Sequence, residues 1–131
     1  MKKLFDVHCH MVPGVDDGAA DLEESLEMLK MQHEDGVRKI IITPHYRRRM
    51  FETPAKKVHE QFLKLQEAAK KEYPDMSLYL GCELHSNMDL QDILEKRKYV
   101  TMAGSSYVLL EFSEGDSAQH IRERVYNVLS C

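Results

Sequence analysis

The sequence predicts an α/β protein built from four successive strand–helix units, with helices covering a parallel sheet. Two observations predict this class. Short apolar, β-branched runs alternate with longer amphipathic segments, and capping or turn residues mark most changes from one to the next. Strands that alternate with helices pair in parallel, because each crossover through a helix returns the chain in the same direction. A length of 131 residues is that of a single domain, so we treat 1–131 as one domain.

The first unit is a brief apolar run at Leu4–Val7 followed by a helix. Asp21, with Glu24 three residues later, is typical of a capping box and predicts where this helix begins. Apolar residues then recur at helical spacing at Leu22, Leu26 and Leu29. Gly36 stands where a helix would end.

The second unit begins with Val37–Thr43, a β-branched and nearly continuous run that is typical of a buried parallel strand. After a basic loop, Thr53 is the predicted N-cap of a helix with Pro54 in its first position. The apolar stripe of this helix consists of Val58, Phe62, Leu65 and Ala69. The helix is expected to end before Pro74.

The remaining two units are shorter. Their predicted elements are a strand at 77–82, a short helix at 89–96, a strand at 107–112, and a helix at 117–129 capped by Ser117 or Asp116. A closed barrel of this kind normally needs roughly 250 residues and seven or eight units. Four units therefore predict a partial domain that corresponds to the N-terminal half of such a barrel.

Composition excludes several classes of function. A net charge of −4 gives no basic excess for a nucleic-acid backbone. No segment approaches the roughly 18 consecutive apolar residues of a membrane span. The first residues lack the apolar run of a secretory signal. Three cysteines are an odd number without close pairing, which argues against a disulfide framework or a zinc ribbon and favours a reducing, cytoplasmic location.

Histidines and carboxylates stand at or near the ends of all four predicted strands. They are Asp6, His8 and His10 at the first, His45 after the second, Glu83 at the third and Glu111 at the fourth. The carboxyl ends of strands in a β/α barrel form one catalytic rim. Imidazole and carboxylate without thiolate favour manganese, iron or zinc over magnesium or calcium, and carboxylates can bridge neighbouring ions. The sequence therefore predicts a site for a cluster of divalent metals.

Each of these signals is weak alone, and it is their joint placement that predicts the site. A single His-x-His pair, or one histidine after a strand, is more often an ordinary surface feature. His85 shares the strand alternation of Glu83 and is a possible rim residue, although a structural role is favoured. The surface histidines are expected to be His33, His59 and His120.

Two loops offer further candidates. Val15–Gly18 is either an acidic turn, as Asp and Gly favour, or the source of another metal ligand, with Asp17 preferred over Asp16. Three arginines follow His45 directly at 47–49. Arginines in a loop are usually solvated, but beside a metal rim Arg47 and Arg48 are candidate phosphate contacts, since guanidinium suits phosphate oxygens.

In five motifs the sequence resembles the PHP (polymerase and histidinol phosphatase) superfamily. They are Asp6-Val7-His8-Cys9-His10, Val15-Asp16-Asp17-Gly18, Thr43-Pro44-His45, Gly81-Cys82-Glu83 and Leu110-Glu111-Phe112. The long segment between the first two motifs, together with Met50-Phe51-Glu52-Thr53-Pro54, is most similar to bacterial protein-tyrosine phosphatases of capsule and exopolysaccharide systems.

The resemblance implies a distorted (β/α) barrel that holds manganese-like ions and hydrolyses phosphotyrosine esters. It implies as metal ligands His8, His10, Asp17, His45, Glu83 and Glu111. The implied partner is the tyrosine kinase that regulates polysaccharide export. The family's later His-x-x-Arg and Asp-x-His motifs are absent from this sequence, so we expect the chain alone to bind metal weakly and to turn over slowly or not at all.

The sequence therefore predicts a metal-dependent protein-tyrosine phosphatase. One alternative is another phosphoesterase of the superfamily, acting on histidinol phosphate or a nucleotide. The other is an inactive module that binds or assembles, for example as a homo-oligomer through exposed sheet edges. A cysteine phosphatase is excluded, because no arginine stands six residues after Cys9 to cradle phosphate.

Overall fold

The computed structural model describes residues 3–87, 89–96 and 99–131. The strands and helices in chain order are β1 (Leu4–Asp6), α1 (Leu22–Glu34), β2 (Val37–Ile42), β3 (His45–Tyr46), α2 (Ala55–Glu72), β4 (Ser77–Leu80), β5 (Glu83–His85), α3 (Leu90–Glu95), a 3-10 turn (Met102–Gly104), β6 (Leu109–Glu111) and α4 (Ala118–Leu129). Within the described residues, no helix is both long enough and apolar enough to cross a membrane.

The strands form two three-stranded sheets, ordered β1-β2-β4 and β3-β5-β6. Every pair of neighbouring strands in these sheets is parallel. The α/β class with parallel strands and intervening helices is therefore confirmed. Within each sheet, every new strand pairs with the strand that came before it in that sheet. Strand ends that are distant in sequence therefore lie next to each other.

The second and third predicted strands are present as β2 and β4, and each is followed by a further short strand, β3 or β5, that the sequence did not predict. Pro44 has no N–H to donate to a ladder, and the N–H of Thr43 donates to the carbonyl of Cys9 at 2.8 Å. Gly81 occupies a crowded position, where an added Cβ would lie 2.7 Å from the sulfur of Met102. The chain leaves the first sheet at these two points and enters the second.

The two additional strands change the expected position of two predicted site residues. His45 opens β3 and Glu83 opens β5, and the two residues are paired in the parallel register. The sequence had suggested that Glu83 closes the third strand, whereas in the structure it begins β5. The second sheet thus presents its first residues to the carboxyl end of the first sheet, beside the segment that follows β1.

The start of α1 agrees with its predicted capping box. The Asp21 carboxylate accepts the N–H of Glu24 at 2.8 Å. The Glu24 carboxylate accepts the N–H of Ala20 at 3.3 Å, one residue earlier than the reciprocal bond of a standard box. One orphan donor of the helix, the N–H of Glu24, and the N–H of the residue before the cap are satisfied in this way.

The start of α2 differs from the prediction by one residue. Pro54 is the N-cap and makes no side-chain capping bond, and the helix begins at Ala55. The Thr53 hydroxyl, which was expected to cap the helix, donates to the carbonyl of Val15 at 2.8 Å. This bond ties the end of the arginine-rich loop to the segment that carries the two aspartates. The tertiary contact thus replaces the local cap.

Two apolar clusters support the two sheets. The larger lies between the first sheet and helices α1 and α2, where Leu29, Leu65 and Ile40 are fully buried. The smaller surrounds β5 and α3 and includes Leu84, Leu90 and Ile93. Packing against these clusters holds the carboxyl ends of the strands at fixed relative positions.

Candidate metal centre

Glu83 lies at the centre of the predicted site. Its side chain is only 8% exposed, and its Oε2 is 3.1 Å from Nε2 of both His8 and His10. The same oxygen is 3.4 Å from Nδ1 of His45. It nevertheless has no hydrogen-bond partner among the described residues. A buried carboxylate oxygen that faces several imidazole nitrogens without hydrogen-bond geometry fits donors that converge on a shared cation.

Three overlapping groups of side chains surround this oxygen. They are His8, His10 and Glu83; His10, Asp17 and His45; and His45, Glu83 and Glu111. In each group one ligand atom from every residue lies within 4.8 Å of the others. The structure thus brings together all six residues that were predicted as metal ligands.

His45 connects two of these groups through its two ring nitrogens. Nε2 is 3.5 Å from Oδ1 of Asp17, and Nδ1 is 3.6 Å from Oε2 of Glu111. The Glu111 oxygen is buried and, among the described residues, has no hydrogen-bond partner. Imidazole and carboxylate donors in adjoining groups suit neighbouring divalent metal ions.

Asp16 is buried behind the site and has no free acceptor aimed into it. Its Oδ2 is 3.1 Å from Nδ1 of His10 and accepts the N–H of His45 at 3.0 Å. Its Oδ1 accepts the N–H of Gly18 at 2.9 Å. Burial would raise the pKa of Asp16, but the hydrogen bonds from His10 and the two amides outweigh it, and the net pKa is lowered. The same bond to Asp16 raises the pKa of His10.

Asp17 differs from its neighbour in exposure and in contacts. Its side chain is 64% exposed and faces His45, whereas that of Asp16 is 1% exposed. Only Asp17 belongs to one of the three His–carboxylate groups. Sequence reasoning preferred Asp17 but left Asp16 open, because the amide of His45 that occupies Asp16 is 29 residues away along the chain.

Gly18 is required for close packing. An added Cβ would lie 2.9 Å from the carbonyl carbon of His10 and closer still to its carbonyl oxygen and Cβ. Its φ is not in the left-handed region, which the chain's glycines adopt at Gly14, Gly36 and Gly104. The turn therefore needs glycine because the backbone of His10 lies directly against it.

The arginine-rich loop forms a tight hairpin, closed by an antiparallel bridge between Arg47 and Phe51. Arg48 pairs with helix α3, with Nη1 3.2 Å from Asp89 and Nη2 3.0 Å from Asp92. Arg47 is half-buried and has no ion pair among the described residues. A phosphate contact from Arg48 would have to compete with these carboxylates, whereas Arg47 has no such competitor in the described part of the chain.

Phe51 is a site neighbour that the sequence did not single out by itself. Its ring stacks on His45, with centroids 5.0 Å apart and planes at 18°. His45 stacks in turn on His10 at 4.5 Å and 22°. The only signal in the sequence was the motif at 50–54, which does not indicate a particular contact.

The other histidines divide into three cases. His33 contacts Asp75 and His59 is exposed on α2, as expected of surface residues. His120 was also expected on the surface, far from the rim, but its Nε2 is 3.1 Å from the carbonyl of Ser86. His85 is 5% exposed and pairs in register with Glu111. Burial, followed by the charge of Arg47, lowers the pKa of His85.

Comparison with known proteins relates this chain to a bacterial family. Residues 4–131 match the family described as capsular polysaccharide synthesis, CpsB/CapC. The tyrosine-protein phosphatase CpsB of Streptococcus pneumoniae is 39% identical over 126 residues, which cover 96% of this chain and 52% of that protein. The tyrosine-protein phosphatase YwqE of Bacillus subtilis is 28% identical over 125 residues, which cover 95% of this chain and 49% of that protein.

A solved structure shows the same family likeness at the level of the fold. It belongs to the crystal structures of YwqE from Bacillus subtilis and CpsB from Streptococcus pneumoniae, described as unique metal-dependent tyrosine phosphatases. It superposes with a TM-score of 0.83 at 29% identity, over 97% of this chain and 51% of that chain. The chain thus spans about half the length of the curated relatives it matches. With a family match over nearly all of its residues, this chain belongs to the CpsB/CapC family of capsular polysaccharide synthesis.

Proposed function

We propose that this chain carries the metal-binding part of a metal-dependent protein-tyrosine phosphatase. The observation that carries the proposal is the buried Oε2 of Glu83, which faces imidazole nitrogens without a hydrogen-bond partner among the described residues. The proposed ligands are His8, His10, Asp17, His45, Glu83 and Glu111. The relatives named tyrosine-protein phosphatases support the same activity.

The ligand chemistry favours manganese, with iron or zinc as the other candidates, because the set combines nitrogen and oxygen donors and includes no thiolate. Such an ion, when bound, would lower the pKa of a water molecule and neutralise charge on phosphoryl oxygens. The protein's own contribution is to hold the donors rigid: Asp16 orients His10, and the stacked ring of Phe51 restrains His45. Arg47 is the arginine best placed to attract the phosphate, since Arg48 is paired with α3.

The proposed setting follows from the family. We propose the distorted (β/α) barrel of the PHP superfamily, which the two parallel sheets and their helices support, with the remaining units in the further half that the relatives possess. The proposed substrate is a phosphotyrosine protein, namely the tyrosine kinase of a polysaccharide-export system. We propose a cytoplasmic location, which the three free cysteines support.

The test is metal content by elemental analysis, paired with manganese-dependent hydrolysis of a phosphotyrosine peptide. Glu83→Gln should lose both, because the amide cannot replace a shared carboxylate oxygen. Glu23→Gln on the exposed first turn of α1 is the matched control and should lose neither. Unchanged metal content in Glu83→Gln would show the ligand assignment to be wrong. Faster hydrolysis of histidinol phosphate than of the peptide would favour the other phosphoesterase.

A second candidate function is a binding or assembly module, because the chain exposes apolar side chains. Phe5 and Val7, in and just after edge strand β1, are 64% and 56% exposed. Along α4 a stripe of Ile121, Val125 and Leu129 is also exposed. A homo-oligomer could cover these surfaces. Sedimentation decides this question: a well-folded monomer at micromolar concentration excludes self-assembly as the role of this surface.

A further inference from the structure

Two buried polar atoms beside the candidate metal centre are not used by the proposed ligands. They are Nδ1 of His85, in a residue that is 5% exposed, and Oγ of Ser86, in a residue that is fully buried. Neither has a hydrogen-bond partner among the described residues. Native proteins rarely leave such atoms unpaired, so each requires an explanation. His85 is the more informative, because its strand and register fix where it lies.

His85 lies on the same side of the sheet as the metal centre. It is two residues beyond Glu83 in β5, and side chains two apart in a strand point to the same face. It is paired in register with Glu111 of β6. The charged groups that act on its ring are Arg47, Glu111, Asp116 and His45, from four different segments of the chain. The ring therefore lies at the edge of the third His–carboxylate group.

Hydrogen bonding leaves Nδ1 as the available atom of this ring. Nε2 is 3.1 Å from the hydroxyl oxygen of Ser113. When that hydroxyl donates to Nε2, the ring proton is on Nδ1, which becomes a donor. Among the described residues, His85 is not a member of any of the three His–carboxylate groups. Nδ1 is thus suited to an oxygen of a ligand that lies beside the metals, and not to a metal.

Arg47 is the basic group beside His85: it follows Tyr46, which is paired with Leu84, the residue before His85. It is half-buried, its charge acts on His85, and it has no ion pair within the part of the chain that the structure describes. The neighbouring Arg48 is tied to Asp89 and Asp92, which holds the hairpin on α3. A guanidinium and an N–H donor on one side of a metal cluster match the oxygens of a phosphate group.

We propose that His85 is a substrate-binding residue, whose Nδ1–H donates to a non-bridging phosphoryl oxygen beside Arg47. This inference rests on the proposed phosphatase function and adds a residue to it. Ser113 acts through His85 as a positioning residue: when its hydroxyl donates to Nε2, the ring proton is held on Nδ1. The arrangement explains why a buried imidazole nitrogen at this position has no partner within the described protein.

Two isosteric substitutions separate the two ring nitrogens. His85→Asn places an amide near the position of Nδ1 and keeps a donor there, while it loses the contact with Ser113. His85→Gln places its amide near Nε2, keeps the Ser113 contact and loses the Nδ1 donor. Calorimetry should measure the affinity of manganese-loaded full chain for orthophosphate, with metal content and thermal unfolding recorded for each variant. Ser113→Ala, at an exposed residue, serves as a third variant that leaves the core intact.

We expect His85→Gln to weaken orthophosphate binding about tenfold or more, as for loss of a hydrogen bond to a charged group, with unchanged metal content. His85→Asn should remain close to the wild type, and Ser113→Ala should show a smaller loss. Equal affinity of the wild type and His85→Gln would overturn the inference. So would equal losses in both His85 variants, or wild-type protein that binds no orthophosphate.

The same measurements separate this inference from the proposed function. Wild-type protein that retains no manganese contradicts the proposed metal centre. The titrations are then run on the metal-free chain, where the role of His85 is decided by whether His85→Gln binds orthophosphate more weakly than His85→Asn. If a His85 variant unfolds, the Ser113→Ala titration decides the question. Unchanged affinity of Ser113→Ala for orthophosphate would contradict the role of Ser113 in holding the proton on Nδ1 of His85.

Discussion

The carboxylate of Asp16 and the imidazole of His10 form the contact that orients the candidate metal centre, with Oδ2 3.1 Å from Nδ1. Because the carboxylate accepts, the proton lies on Nδ1, and the lone pair of Nε2 is directed to Glu83 Oε2 at 3.1 Å. The same aspartate accepts the backbone N–H of His45. One buried carboxylate therefore connects the segment after β1 to the start of β3.

Asp16→Asn should weaken manganese binding about 10- to 100-fold without changing the number of ions bound at saturation. The amide presents a donor where two N–H groups converge on Oδ2, so His10 loses its orienting partner. Isothermal titration measures both quantities. Asp17→Asn is the matched comparison and should reduce the number of ions, since Asp17 faces His45 from the exposed side. The opposite pattern in the two variants would reverse their assigned roles.

Gly18→Ala should lower both stability and manganese affinity. The new methyl would overlap the backbone of His10, and such overpacking typically costs about 1–3 kcal/mol. Relief of the overlap would displace His10 from Glu83. Urea unfolding and metal titration measure the two effects. Gly115→Ala is the control, because an added Cβ there meets nothing within 4 Å. Equal effects of the two substitutions would show that the close approach at His10 is unimportant.

The parts of the fold that depend on local pattern could be predicted from the sequence. Helix α1 begins at Asp21 as its capping box predicts, and α4 begins after Ser117, whose hydroxyl accepts the N–H of His120. Five of the six proposed ligands could be selected because each lies at or near a strand boundary, and Asp17 because it stands in an acidic turn. These features depend on spacing of a few residues, which a sequence shows directly.

The parts that depend on distant contacts could not be predicted. The division between β2 and β3 depends on Thr43 bonding to Cys9, 34 residues away, in addition to Pro44. The role of Asp16 depends on the amide of His45, 29 residues away. Thr53 looked like a helix cap, but it bonds to Val15. In each case the deciding hydrogen bond joins residues at least 29 positions apart, which local sequence patterns do not show.

Cysteine alkylation should leave phosphatase activity unchanged. Burial raises the pKa of Cys9 to about 12 and that of Cys82 to about 11, so neither forms much thiolate near neutral pH. Cys131 is exposed and should be the thiol that iodoacetamide labels in the folded protein. Peptide mass spectrometry identifies the labelled residue, and Cys131→Ser should abolish labelling. Rapid labelling of Cys9 together with loss of hydrolysis would favour a thiol mechanism after all.

Asp75→Asn should reduce stability at neutral pH, and the reduction should diminish in acid. Nε2 of His33 lies 3.1 and 3.0 Å from the two oxygens of Asp75, and this bond, with the nearby charge of Arg38, lowers the pKa of Asp75. A carboxyl whose folded pKa is below its unfolded value of about 3.9 stabilises the protein above that value. The contribution is lost as the pH falls through the lower, folded pKa.

Urea unfolding at about pH 6 and about pH 3 therefore gives the required comparison for Asp75→Asn. The difference from the wild type in free energy of unfolding should be smaller in acid. Protonation there removes the negative charge of Asp75 from the wild type, and the substitution removes that charge at every pH. Glu60→Gln, on the exposed side of α2, controls for the loss of a surface charge. A difference for Asp75→Asn that stays constant between the two pH values would mean that its pairing with His33 and Arg38 does not stabilise the fold. The end of α1 and the start of β2 would then be held together by the hydrogen bonds that Arg38 donates to the carbonyls of His33 and Val37.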